Sequence, residues 1–228
     1  MAGNMKKTFI HLPTAVVLIA CLVGFLVETA GAGSRTLTDM NGRTVTVPDT
    51  IRTVVPLGGA LRFLVYMQSL DLVKGMERIE QKRIVAGRLY GLATVDLAPK
   101  LPIIGEGGAG GRLPNFEKII EVWPDVIIAM GMDNSQIANI QQKTGIPVYA
   151  LNYGKPGILD VQSVRTALTH LGKLLGRSKR STQLIAKIDH LQADLDQRTA
   201  GIAEDKQRAA YVGAISYRGA QAITSTEA

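Results

Sequence analysis

Three short apolar runs constrain the architecture more than any other feature of this sequence. Residues 53–57 (TVVPL), 126–130 (VIIAM) and 146–151 (IPVYAL) are too short for helices, and each gives way to a glycine-bearing loop. Between them lie segments with helical spacing. Residues 60–70 carry Leu61, Leu64, Val65 and Gln68 on one side; residues 115–122 and 135–144 follow, the last ended by Gly145. Strands that are apolar without alternation are those buried on both faces, as in a parallel sheet covered by helices. Strands and helices in this rhythm predict an α/β domain with a largely parallel sheet.

The flanking segments refine that frame. Residues 37–48 form two alternating runs around Asn41-Gly42, a hairpin signal. Residues 72–76 are a further strand candidate, and residues 79–99, with Arg83, Arg88 and Tyr90, read as a loop or irregular helix. From residue 159 the pattern becomes helical. Residues 160–175 and 179–199 spell two amphipathic helices broken at Gly176, and residues 209–215 then resume a strand. A strand starting that late has no sheet of its own, so an exposed edge is expected there.

The N-terminus reads as an export signal. Lys6 and Lys7 precede an apolar run over residues 12–27, and Ala30-Gly31-Ala32 supplies an A-x-A cleavage pattern. That run is shorter than the roughly 20 residues a spanning helix needs. Leu18-Ile19-Ala20-Cys21 also fits a lipobox, in which Cys21 is acylated. Residues 22–27 stay apolar, which speaks for cleavage after Ala32, and both fates are open. Cys21 is the single cysteine, so the folded part holds no disulfide and depends on an ordinary core. The formal net charge of +7 is spread along the chain, its densest run at residues 176–180 reading as a solvated helix junction. Without an aromatic-studded basic stripe, no nucleic acid is expected as a partner.

Two function classes compete for the glycine loop. Gly105, Gly107 and Gly110 spell a literal G-x-G-x-x-G after a strand-like run, the fingerprint of a dinucleotide site. Asp133, after the next strand, could serve as the ribose-binding acid of a nucleotide-dependent enzyme. Against this, Arg112-Leu113-Pro114 separate the glycines from the helix that should hold the pyrophosphate, and export removes the chain from free NAD. His11, His170 and His190 form no metal cluster and no convincing Ser-His-Asp set, and the last two read as helix-surface residues. No catalytic residue, cofactor or metal site is predicted. The binding reading uses the loops at the carboxyl ends of the strands, where open α/β sheets hold ligands. Gly58, Gly59, Gly107 and Gly108 would let a ligand approach the backbone. Arg62, Arg112, Tyr90, Met132 and Tyr153 would supply charge, flat faces and apolar contact.

In order, these residues resemble a family: the periplasmic substrate-binding proteins of ABC importers for iron-siderophores, haem and cobalamin. "LTDMNGRTVTVPDTIRTVVPLGGALRFLVYM" is similar to the family's opening hairpin, first strand and first ligand loop. "LPIIGEGGAGGRLPNFEKIIEVWPDVIIAM" is similar to its glycine loop, N-x-E helix start and Pro-Asp strand entry. "GKLLGRSKRSTQLIAKID" resembles the entry to the long interlobe helix, and "YVGAISYRGAQAITSTEA" the start of the second lobe. The resemblance implies an α/β, two-lobed fold joined by one long helix, with the second lobe largely missing from these residues. It divides the chain into a signal peptide (1–32), an N-terminal α/β lobe (33–157), a helical segment with the interlobe helix (158–206) and the start of a truncated C-terminal lobe (207–228). It implies a monomeric, non-enzymatic protein outside the cytoplasm that captures an iron chelate, siderophore or haem-like. Cobalamin or another small solute is the alternative. Its partners would be an ABC permease and its ATPase. Glu117 matches the first-lobe glutamate that docks on the permease, and Tyr217 and Arg218 fall on the first cleft loop of the second lobe.

Overall fold

The computed structural model of this chain describes residues 33–82, 84–85, 88–108, 112–154, 160–206, 215–217 and 220–222. The export segment with Cys21, residues 209–214 of the late strand, and Arg218 lie outside the described residues. A three-stranded parallel sheet forms the centre. Its strands are β3 (Val54–Leu57), β4 (Val126–Met130) and β5 (Val148–Leu151), with β4 in the middle. All thirteen residues of β3, β4 and β5 are buried because both faces of the sheet are covered. Val126, Ile128, Met130, Tyr149 and Leu151 point into one core cluster; Ile127, Ala129, Val148 and Ala150 point into the other.

Helices divide between the two faces. α1 (Ala60–Tyr66), α6 (Val161–Leu174) and α7 (Ser178–Thr199) supply Leu61, Leu64, Leu168, Leu171, Leu184 and Ile188 to the first cluster. α4 (Phe116–Val122) and α5 (Asn134–Thr144) supply Ile119, Ile137 and Ile140 to the second. α6 and α7 pack as a hairpin of helices, and they approach closely because position 172 is glycine. A Cβ there would stand 2.7 Å from the Cβ of buried Ser181.

Residues 72–76 do not become a strand. They contribute two isolated parallel bridges instead, Val54 to Val73 and Met76 to Ile103. The bridges extend the sheet beyond β3 on the side away from β4, giving the order Ile103, Met76 and Val73, β3, β4, β5. Between Val73 and residue 116 the chain holds only short pieces, among them α2 (Arg78–Lys82) and α3 (Leu89–Leu92). The strand order reverses between β3 and β4, and such a switch point opens a crevice at the carboxyl edge of an α/β sheet.

The hairpin β1 (Ser34–Thr38) and β2 (Thr44–Pro48) forms around Asn41-Gly42 as the sequence predicts. Its turn is docked on the outer edge of β5. Asp39, 2% exposed, accepts from the backbone N–H of Asn41 (3.0 Å) and Arg43 (2.9 Å), from Arg43 Nε (3.1 Å) and from Ala150 N (3.2 Å). Met40 N donates to Ala150 O at 3.1 Å, and Arg43 Nη2 donates to Val148 O. The edge strand thus finds partners for backbone groups that would otherwise invite aggregation.

Two sequence expectations need correction. His170 is not a plain surface residue: its Nδ1 lies 2.9 Å from the Tyr149 hydroxyl, which donates to Thr38 O at 2.9 Å. Burial holds the imidazole below its usual pKa and pushes the Tyr149 phenol up to about 12. The basic run at residues 176–180 is likewise more than a solvated junction. Arg177 reaches Asp71 (2.9 and 3.0 Å) and Gln68 O, and Arg180 Nε donates to Tyr66 O at 2.9 Å, so the arginines anchor the start of α7 to the end of α1. At the C-terminal end, β6 (Ile215–Tyr217) pairs antiparallel with β7 (Ala220–Ala222), so residue 215 opens a small hairpin.

Candidate ligand-binding site

The carboxyl edge of the sheet carries four loops. Directly after β3, Gly58 turns the chain with φ +66°, and a Cβ there would stand 2.3 Å from Met130 O. Only glycine fits this turn, on both conformational and steric grounds. It aims α1 so that Arg62, one turn into the helix, faces Gly59; a Cβ on Gly59 would lie 3.7 Å from Arg62 Nη2. The Arg62 guanidinium sits 5.5 Å from the Tyr90 ring centre and 5.6 Å from that of Tyr153. Tyr153, on the loop after β5, also stacks on Phe63 with ring centres 6.5 Å apart. Arg62 Nε is buried and meets no hydrogen-bond partner among the described residues.

Two acids that sequence reasoning passed over lie beneath this cluster. Glu77 follows the Met76 bridge and is 4% exposed; its Oε2 accepts from Gly58 N at 3.0 Å. Burial pushes this carboxyl up to about 7, against the pull of the Gly58 bond and with further push from Glu80. Glu80 accepts from the Tyr90 hydroxyl at 3.0 Å, and that hydroxyl accepts from Arg88 Nη1 at 2.9 Å. Burial, followed by the Glu80 charge, raises the Tyr90 phenol above its ordinary pKa. A glutamate immediately after a strand-like run, as in "LVKGME", is the signal that could have found Glu77.

The glycine loop lies on the same corner but holds no helix N-terminus open for a pyrophosphate. Gly105 O accepts from Arg78 N (2.9 Å) and Glu106 O from Ile79 N (3.1 Å), so its carbonyls engage the first amides of α2. Gly107, φ +67°, rests on Glu77: a Cβ there would meet Glu77 Cβ at 2.7 Å and Oε2 at 2.8 Å. Gly108 lies beside Ile79. Asp133, the expected ribose acid, instead closes a capping box on α5. It accepts from Gln136 N at 2.8 Å while Gln136 Oε1 accepts from Asp133 N.

The remaining expected residues scatter. The Met132 side chain is 8% exposed within the second core cluster, and its carbonyl accepts from Asn41 Nδ2 at 3.0 Å. Arg112 is exposed and lines an outer groove with Arg78, Glu106, Pro114 and Lys118. Glu117 is exposed in the first turn of α4, whose N-cap Asn115 accepts from Lys118 N at 3.0 Å. Tyr217 ends β6. Gly58, Gly59, Arg62, Tyr90, Gly107 and Tyr153 therefore gather at the switch point, and Met132, Arg112 and Glu117 stand apart from it. Among the described residues, no group of three or more His, Cys, Asp and Glu side chains is arranged to hold a metal ion, and no helix is long and apolar enough to cross a membrane.

The chain is thus an open α/β fold with an arginine–tyrosine cluster at the switch point of its sheet. The family model described as periplasmic binding protein matches residues 100–226, more than half of the chain, and the chain belongs to that family. Solved structures agree on the fold. The molybdate periplasmic binding protein MolA of Haemophilus influenzae, bound to molybdate, matches with a TM-score of 0.61 at 20% identity, covering 75% of this chain and 56% of MolA. The siderophore binding protein BauB, bound to two acinetobactin molecules and ferric iron, matches with a TM-score of 0.56 at 17% identity, covering 74% and 55%. CeuE of Helicobacter pylori, in a Ni-His complex, matches with a TM-score of 0.57 at 14% identity, covering 75% and 51%. The chain thus spans about half the length of the solved proteins it matches. No curated protein sequence matches it.

Proposed function

We infer that this chain is the extracytoplasmic solute-binding component of an ABC importer and captures an anionic metal chelate, siderophore or haem-like, without bond chemistry. The observation that carries the reading is Arg62, a cation held between Tyr90 and Tyr153 with a buried Nε that meets no partner. An unpaired buried donor is costly in a protein left alone and useful in one that awaits an acceptor. Flanking aromatic rings suit the flat ligand faces of a chelate or tetrapyrrole. Named relatives of the fold bind a ferric siderophore complex, Ni-His or molybdate, which supports a metal-bearing solute. A second reading, an oxyanion or cobalamin, rests on the same arginine.

In this reading residues 33–157 form the first lobe, residues 158–206 carry the connecting helix, and the second lobe begins at residue 207. Tyr217 and Arg218 belong, in this reading, to the first cleft loop of that lobe. Glu117 docks on the permease, residues 1–32 direct export, and Cys21 is either removed or acylated. The test is calorimetric titration with a hexadentate ferric tris-catecholate, haem, cobalamin and molybdate. We expect roughly micromolar or tighter binding for one of them, weakened at least about tenfold by Arg62→Gln. Equal affinity in the variant, or no binding by any of the four, would overturn the reading.

A further inference from the structure

We propose that Glu77 is the positioning residue of this site: its buried carboxyl clamps the Gly58 turn against the glycine loop and so fixes the angle at which α1 presents Arg62. The proposal rests on the ligand-binding reading of the Arg62 cluster and adds a residue that touches no ligand itself. Two contacts converge on the one side chain, and two backbone bonds hold its neighbours in the chain. Gly58 N donates to Oε2 at 3.0 Å, tying the end of β3. Gly107 has room for no Cβ over the Glu77 side chain, so the loop backbone lies directly on it. Ile104 N donates to Met76 O at 3.0 Å and Arg78 N to Gly105 O at 2.9 Å, which fastens the residues on either side of Glu77 to the same loop.

The turn that Glu77 holds is the one that aims α1. A Cβ on Gly58 would stand 2.3 Å from Met130 O, so the turn lies close against the end of β4, and Gly59 faces the Arg62 guanidinium. Loss of the Gly58 bond removes the side-chain tie of this turn and loosens the placement of Arg62 against Tyr90 and Tyr153. A 1 Å displacement of a binding group is enough to degrade a site that depends on preformed geometry.

The experiment pairs amide exchange with titration, in wild type, Glu77→Gln and Glu77→Ala. Exchange is followed at Gly58, with Ile128 of β4 as the reference for global opening. The expected result is a loss of protection at Gly58 of about tenfold or more in Glu77→Ala, absent at Ile128 and largely restored in Glu77→Gln. Affinities for the hexadentate ferric tris-catecholate and for molybdate should fall about fivefold or more in Glu77→Ala and stay within about twofold of wild type in Glu77→Gln. Unchanged protection at Gly58, equal losses at Gly58 and Ile128 in both variants, or wild-type affinity in Glu77→Ala would each overturn the proposal. If neither probe binds the wild type, the solute reading falls for those two ligands, and the exchange comparison still decides the role of Glu77.

Discussion

The hairpin turn and the switch-point corner are each built around one buried carboxyl, and they treat it differently. Asp39 receives four donors, three of them backbone N–H groups and the fourth the Arg43 guanidinium with which it forms an ion pair. Glu77 receives one backbone donor, with Glu80 as its charged neighbour, and is pushed up to about 7. A carboxylate with several donors is a fixed structural pin. One held by a single donor beside another acid remains poised between two protonation states, and such groups concentrate at functional sites. The difference teaches where this fold spends its stability: the edge of β5 is pinned by several bonds to Asp39 and Arg43, while the crevice between β3 and β4 keeps an arginine whose Nε meets no hydrogen-bond partner among the described residues, and a titratable acid.

The largest effect should come from breaking the pin. Asp39→Ala strands Arg43 and three backbone donors, and should lower the unfolding free energy by about 3–5 kcal/mol. Urea denaturation checks this, and a loss under about 1 kcal/mol would mean that the hairpin turn is not what holds the β5 edge.

Next comes Glu77→Gln, whose effect depends on pH. The folded-state pKa, pushed up to about 7 by burial, lies above the 4.5 of an ordinary glutamate. Glu77 therefore favours folding fully below pH 4.5 and loses that contribution as pH rises through 7. Between pH 4 and pH 8 the stability of wild type should fall by about 3 kcal/mol relative to the glutamine variant. Parallel stability curves would show that Glu77 titrates like an exposed acid and would erase its contrast with Asp39.

How much of this was legible follows from the range of each interaction. β3, β4 and β5 could be read because strands buried on both faces leave continuous apolar runs, and α5 because Gly145 marks its end locally; its capping box at Asp133 and Gln136 was passed over for a ribose-binding acid. The hairpin turn could be read at Asn41-Gly42, but its destination could not. Asp39 finds Ala150 across more than a hundred residues, and no local pattern announces that pairing. The crevice residues divide along the same line. Gly58, Gly59 and Arg62 follow a clear strand and read as a loop at the carboxyl edge of the sheet, where the structure places them. Glu77 and Glu80 sit where the strand pattern lapses into single bridges, so the corner they support had no periodic signal. Met132 shows the reverse problem: it lies on a loop after β4, yet its side chain turns back into the core beside Ile137 and Ile140.

A smaller effect is expected at Arg62. Arg62→Gln removes two cation–π contacts and also relieves a buried unpaired Nε, so its net cost should be about 1 kcal/mol or less in thermal or urea unfolding. Its cost to affinity for the bound solute should be the larger. A stability loss above about 3 kcal/mol would place Arg62 with Asp39 among the structural pins and weaken the case that it waits for a ligand.

The smallest expected effect on the fold lies at Glu117, and it sharpens the comparison by supplying a carboxylate with neither role. It is exposed in the first turn of α4, where Asn115 already caps the helix through Lys118 N. A carboxylate there gains only slight support from the helix end. Glu117→Ala should leave the denaturation midpoint and the solute affinity unchanged, because the side chain reaches neither the core nor the Arg62 cluster. If Glu117 meets arginines of a permease, the variant should still lower importer-dependent uptake by about tenfold through loss of a charge pair at that interface. Uptake equal to wild type with unchanged affinity would remove the docking role and leave Glu117 as a solvated helix-end residue. Lowered affinity would instead show that the cleft extends past Pro114 onto α4, and the boundary between rim and docking face would have to be redrawn.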